Sequence, residues 1–115
     1  MDSIFVYKNN LVYNPSNLLF TIVQDSIRFT VLKSLAVYRE ENYIGIYRIV
    51  EKNVFAAGKL TEMLSLLVFG SKLEEGLKEL KTIKVKGRMS DKTKMAFICL
   101  EHIKYEKKYS LQEEA

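Results

Sequence analysis

Cys99 and His102 are the only thiol and the only imidazole in the chain, and they are the residues that nucleophilic catalysis would recruit. A reactive thiol needs a base within hydrogen-bond reach. The spacing works against that pairing, because residues three apart on a strand point to opposite faces. Cys99 also lies inside the apolar run 95–100, where a thiol behaves as a small buried hydrophobe. One Cys and one His fall short of the ligand set of a common zinc site. The acidic residues Glu74, Glu75 and Glu79 share one helix face, the pattern of a solvated surface. Gly45, Gly58, Gly70, Gly76 and Gly87 are isolated, so neither a phosphate-cradling loop nor a dinucleotide fingerprint can be assembled. These residues predict a protein that is not an enzyme, with no catalytic side chain, cofactor or metal.

The polar feature that remains is basic. Over 82–88, Ile83 and Val85 alternate with Lys84, Lys86 and Arg88, which predicts a strand with one cationic face. Lys81, Lys92 and Lys94 lie close in sequence. Like charges on one face repel and call for a compensating partner, either an acidic protein or phosphates. A solvated edge strand guarded by lysines explains the same pattern without a ligand. The net charge of +4 and pI near 9.1 suit nucleic acid, an acidic lipid surface or an acidic protein. No aromatic residue interleaves the cations between Lys81 and Lys94, as a base-stacking platform would require.

The elements that must position these residues form one domain, because 115 residues support one core. Its parts are an N-terminal hairpin (1–14), a core (15–105) and a charged tail (106–115). No apolar run approaches the roughly 20 residues of a membrane span. The N-terminus lacks the pattern of a secretory signal, and a lone cysteine suits a reducing cytoplasm. In the hairpin, 4–7 and 11–13 are strands joined at Asn9 and Asn10, which tolerate tight turns. Asn14 and Pro15 signal a helix start. The recurrence of Leu18, Leu19, Ile22, Val23, Ile27, Val31 and Leu35 predicts a helix over 16–38, with a strand at 27–31 as the alternative. Strands at 43–50 and 54–58 flank a turn at Glu51, Lys52 and Asn53. Residues 95–100, apolar throughout, predict a strand covered on both faces.

The segment 61–80 reads as a long helix with a soft point at Gly70, or as two helices meeting there. Ser71 and Glu74 match a capping box at that junction. Leu73, Leu77 and Leu80 make the second half amphipathic. The first half is apolar nearly all round, more than one sheet can cover. That predicts a homodimer through Met63, Leu66, Leu67 and Phe69.

From Tyr43 through the Gly45–Val50 strand, the small residues Ala56, Ala57 and Gly58, and the following apolar helix, the chain resembles the roadblock/dynein light chain family. Longin and profilin-like relatives share the element order. The resemblance implies an α+β sandwich, with two long helices on a central antiparallel sheet, that homodimerises. It also implies a non-enzymatic scaffold or regulator in the cytoplasm, binding a small Ras-like GTPase or another protein. The extra N-terminal hairpin and the missing glycine at the 51–53 turn depart from that pattern. The alternative is a small oligonucleotide-binding-barrel-like domain that lays Lys84, Lys86 and Arg88 along nucleic acid phosphates.

Overall fold

The computed structural model describes residues 1–7 and 18–103. The described elements are β1 (Ser3–Val6), β2 (Leu18–Gln24), β3 (Ser34–Arg39), β4 (Asn42–Ala56), a 3-10 turn (Ala57–Lys59), α1 (Glu62–Phe69), α2 (Leu73–Leu80) and β5 (Lys94–His102). The class is α+β. All five strands join one sheet in the order β1-β3-β4-β5-β2. The sheet is mixed rather than purely antiparallel, because β1 runs parallel to β3 while the other neighbours are antiparallel. It curls until its two edge strands meet. There the Thr21 hydroxyl donates to the Phe5 carbonyl at 2.6 Å, and the Tyr7 hydroxyl donates to the Ile22 carbonyl at 2.9 Å.

The curl creates two cores. Inside it, Ile4 and Val6 meet Leu35, Val37, Ile49, Ile98 and Leu100, joined by Phe29 from the loop after β2. Outside it, Val68, Phe69 and Leu80 of the helices pack on Ile22, Met95 and Phe97. Strand β5 lies between the two, and every residue from 95 to 100 is buried, as its unbroken apolar run predicts. Each such aliphatic side chain contributes about 1.5–3 kcal/mol relative to exposure.

Several expectations are corrected. No helix forms over the described part of 16–38: β2 and β3 occupy it, and 25–33 is their connection rather than a strand. Strand β2 is covered on both faces, Leu19 by the inner core and Ile22 by the helices, so its apolar residues do not alternate and mimic helical spacing. Glu51, Lys52 and Asn53 are not a turn but part of the 15-residue β4, in the stretch from Tyr47 to Ala56 that pairs with β5. The register shifts between Ile49 and Glu51, so the strand passes the position as a bulge. The second strand of the expected N-terminal hairpin, the helix start at Asn14 and Pro15, and the tail from 106 lie outside the described residues.

The two helices are short, eight residues each. The Thr61 hydroxyl caps α1 by accepting from the Leu64 amide at 3.2 Å. Gly70 ends α1 in the left-handed conformation (φ 69), and its amide donates to the Leu66 carbonyl. The capping box does not form. Lys72 is the N-cap of α2 and makes no side-chain cap bond, while the Ser71 hydroxyl turns back to the Phe69 carbonyl at 3.4 Å. The hydroxyl that serves this junction comes from α1: Ser65 donates to the Ser71 carbonyl at 2.7 Å. Among the described residues no helix is long and apolar enough to cross a membrane.

Candidate functional site: a basic groove beside an aromatic row

The seam between β1 and β2 carries no strand ladder, and a groove of about 800 Å³ opens beside it. Phe5 of β1 and Tyr7 just beyond it form part of one wall, and Gln24, Arg28 and Phe29 part of another. The connection from α2 to β5 supplies Ile83, Lys84, Val85 and Lys86. That connection is not the strand expected for 82–88, although its alternation survives. Ile83 and Val85 are half-buried against the helix-covered core, while Lys84, Lys86 and Arg88 are exposed. Packing, not ladder pairing, satisfies the pattern. The Lys86 amide donates to the Gln24 side-chain carbonyl at 2.8 Å and ties the segment to the end of β2.

Charge in the groove is one-sided. Asp25 is ion-paired with Lys52 at 2.9 Å, and Asp2 with Lys33. The hydrogen bond and charge of Lys33 hold the Asp2 carboxyl below its usual range. Among the described residues, Arg28, Lys84 and Lys86 make no ion pair, and the Arg28 guanidinium lies over the Phe29 ring at 4.8 Å. Arg88 does not join them: with Lys81, Ser90 and Asp91 it lines a separate cavity beside α2.

Phe5 also begins a row of rings on the open side of the sheet. It pairs in register with Tyr38, centroids 5.8 Å apart, and Tyr38 with Tyr43 at 5.6 Å. Phe5 and Tyr43 are each 55% exposed. Glu40 and Glu41 stand exposed at the β3–β4 turn, the far end of the row.

The remaining candidates separate. Cys99 faces the helix-covered side of β5, and burial pushes its thiol up to about 11, with Glu51 and Glu101 adding to the effect. His102 sits on the inner side against Tyr47 at 5.0 Å. Burial also raises the Tyr47 hydroxyl, against the opposing charge of Arg39. No cluster among the described residues has the make-up of a metal site. Of the expected dimer set, Met63 (70%) and Leu66 (45%) are exposed and Leu67 is half-buried. Phe69 is 2% exposed and packs on Tyr7 at 5.1 Å, so it belongs to its own subunit's core and has no surface left for a partner.

Arg28, Phe5, Tyr38 and Tyr43 escape a reading of the chain by segments. Their grouping depends on strand pairing across the sheet, and Arg28 and Tyr38 sit in the stretch whose spacing mimics a helix. The β-branched residues at 27–31 were the available signal that 16–38 is not one helix. No protein-family model, curated protein or solved structure matches this chain.

Proposed function

We propose that this domain is a non-catalytic binder of single-stranded nucleic acid. The observation that carries the reading is the groove with Arg28, Lys84 and Lys86 free of ion pairs and with Phe5 in its wall, the ring that begins the row continued by Tyr38 and Tyr43. Cations along the groove meet the backbone phosphates, and the rings offer faces on which unpaired bases stack whatever their sequence. Glu40 and Glu41 repel phosphates at the far end, so the bound segment is short. Labelled single-stranded DNA should bind at low salt and dissociate as salt rises. In Lys84→Ala/Lys86→Ala the slope of log affinity against log salt should fall by about 0.7 for each phosphate that is no longer neutralised. No binding at low salt, or an unchanged slope in the variant, overturns the reading.

One observation favours a second reading, the dimeric scaffold for a small GTPase that the roadblock resemblance implies. Met63 and Leu66 are exposed on α1. Most of the apolar surface that prompted the expectation of a dimer is instead covered within the chain, by the sheet and by α2. Edge-to-edge joining of sheets also conflicts with edge strands that face each other across the seam. If α1 nonetheless carries an interface, the wild type sediments as a dimer and Leu66→Glu as a monomer. A monomeric wild type removes this reading.

A further inference from the structure

The loop 25–33 displays three large aliphatic side chains: Ile27 is 94% exposed, Leu32 69% and Val31 51%. Single exposed aliphatics are ordinary, but three on one short loop make an apolar tip. The loop is firmly held. Lys52 pairs with Asp25 and donates to the Ser26 carbonyl at 3.2 Å. The Leu32 amide donates to the Ile49 carbonyl at 2.7 Å, and the Phe29 side chain is anchored in the inner core. Leu32 itself is left-handed, with φ 76, a conformation that L-residues with a Cβ seldom adopt.

Unpaired charge adjoins the tip. Arg28 belongs to the loop, and Lys84 and Lys86 line the groove whose wall includes Asp25, Ser26 and Phe29. The nearby carboxylates, Asp2 and Asp25, are already engaged by lysines. A flat layer of anionic headgroups accepts such a tip directly, whereas a protein partner must provide a matching pocket. The geometry points to loop 25–33 as a docking site for an anionic lipid bilayer, with Ile27, Val31 and Leu32 entering the interface and Arg28, Lys84 and Lys86 against the headgroups. Neither signal suffices alone. The three side chains together hold fewer carbons than one myristoyl chain, which by itself binds only marginally, so the cations supply the second attraction. Docking goes beyond nucleic acid binding and does not depend on it, although the same cations face both ligands.

The test is co-sedimentation of the full chain with vesicles at low salt, with single-stranded DNA binding measured in parallel. The protein should bind vesicles of equal parts phosphatidylcholine and phosphatidylserine and leave pure phosphatidylcholine in solution. Ile27→Ser/Leu32→Ser should bind the anionic vesicles about tenfold more weakly and bind DNA as the wild type does. Equal vesicle binding by the variant, or none by the wild type, overturns lipid docking whatever the DNA result. A wild type that dimerises through this loop, with the dimer abolished in the variant, replaces the bilayer with a second copy and also overturns it.

Discussion

Gly76→Ala should destabilise the domain by about 2–4 kcal/mol. Helix propensity alone argues the opposite, since alanine inside a helix is favoured over glycine by about 1 kcal/mol. Steric overlap decides the sign. A Cβ on Gly76 would lie 1.8 Å from the Ser65 hydroxyl oxygen and 2.6 Å from the Ser65 Cβ. Rotating the hydroxyl relieves only the first clash, because the second involves an atom fixed to the backbone of α1. Ser65 cannot move away freely either, as its hydroxyl holds the Ser71 and Lys72 carbonyls at 2.7 and 3.1 Å. Urea unfolding should show a lower midpoint for Gly76→Ala with an unchanged denaturant slope. Ser65→Gly in that background should recover part of the loss, an interaction that a double-mutant cycle isolates. A Gly76→Ala protein as stable as the wild type would mean that α1 and α2 do not approach this closely.

Raising the pH from 9 to 12 should remove about 2–3 kcal/mol of stability through Tyr7, the equivalent of its hydroxyl's rise from 10.0 to about 12. Burial is the main cause, since the phenolate would lose its hydration between the seam and Phe69. The folded value lies above the unfolded one. The contribution is therefore complete below pH 10, where both states keep the proton, and is lost as the pH climbs toward 12. Cys99, raised from 9.0 to about 11, and Tyr47, also raised, act in the same direction and steepen the decline. Tyr7→Phe should be about 1 kcal/mol less stable near neutral pH, where it lacks the hydrogen bond to the Ile22 carbonyl. It should lose less than the wild type on alkaline titration. Urea midpoints measured across this range for both proteins check the prediction, and parallel curves would remove Tyr7 from the account.

What could be read from the chain follows how each segment is covered. Strand β5 was legible because a run buried on both faces has no polar residue to confuse it, and Gly70 was legible as a weak point or junction because glycine weakens a helix interior, where the structure ends α1 in a left-handed turn. The same logic failed at β2. There, two-sided burial placed Leu18, Leu19, Ile22 and Val23 at intervals that fit a helix equally well, and no turn glycine marks the loop at 25–33. The turn expected at Lys52 and Asn53 was misleading for a related reason. Both are polar residues in a strand, and Lys52 is held there by Asp25, 27 positions earlier in the sequence. The candidate site shared this fate. Lys84 and Lys86 were found from local alternation, but Arg88 diverges to another cavity. The rings of Phe5, Tyr38 and Tyr43 come together only through β1–β3 and β3–β4 pairing.

Strand β5 joins β4 to β2 and lies between the two cores, yet among the described strands it comes last in chain order. On the ribosome, β4 and β2 therefore emerge long before the segment that joins them, and both cores stay open until residue 102 has cleared the exit tunnel. Such a chain acquires its structure late and nearly all at once, through contacts distant in sequence, which makes for slow folding. During that interval its unpaired strands are open to other nascent chains, so yield in cells should depend on holdase chaperones more than on the stability of the finished fold.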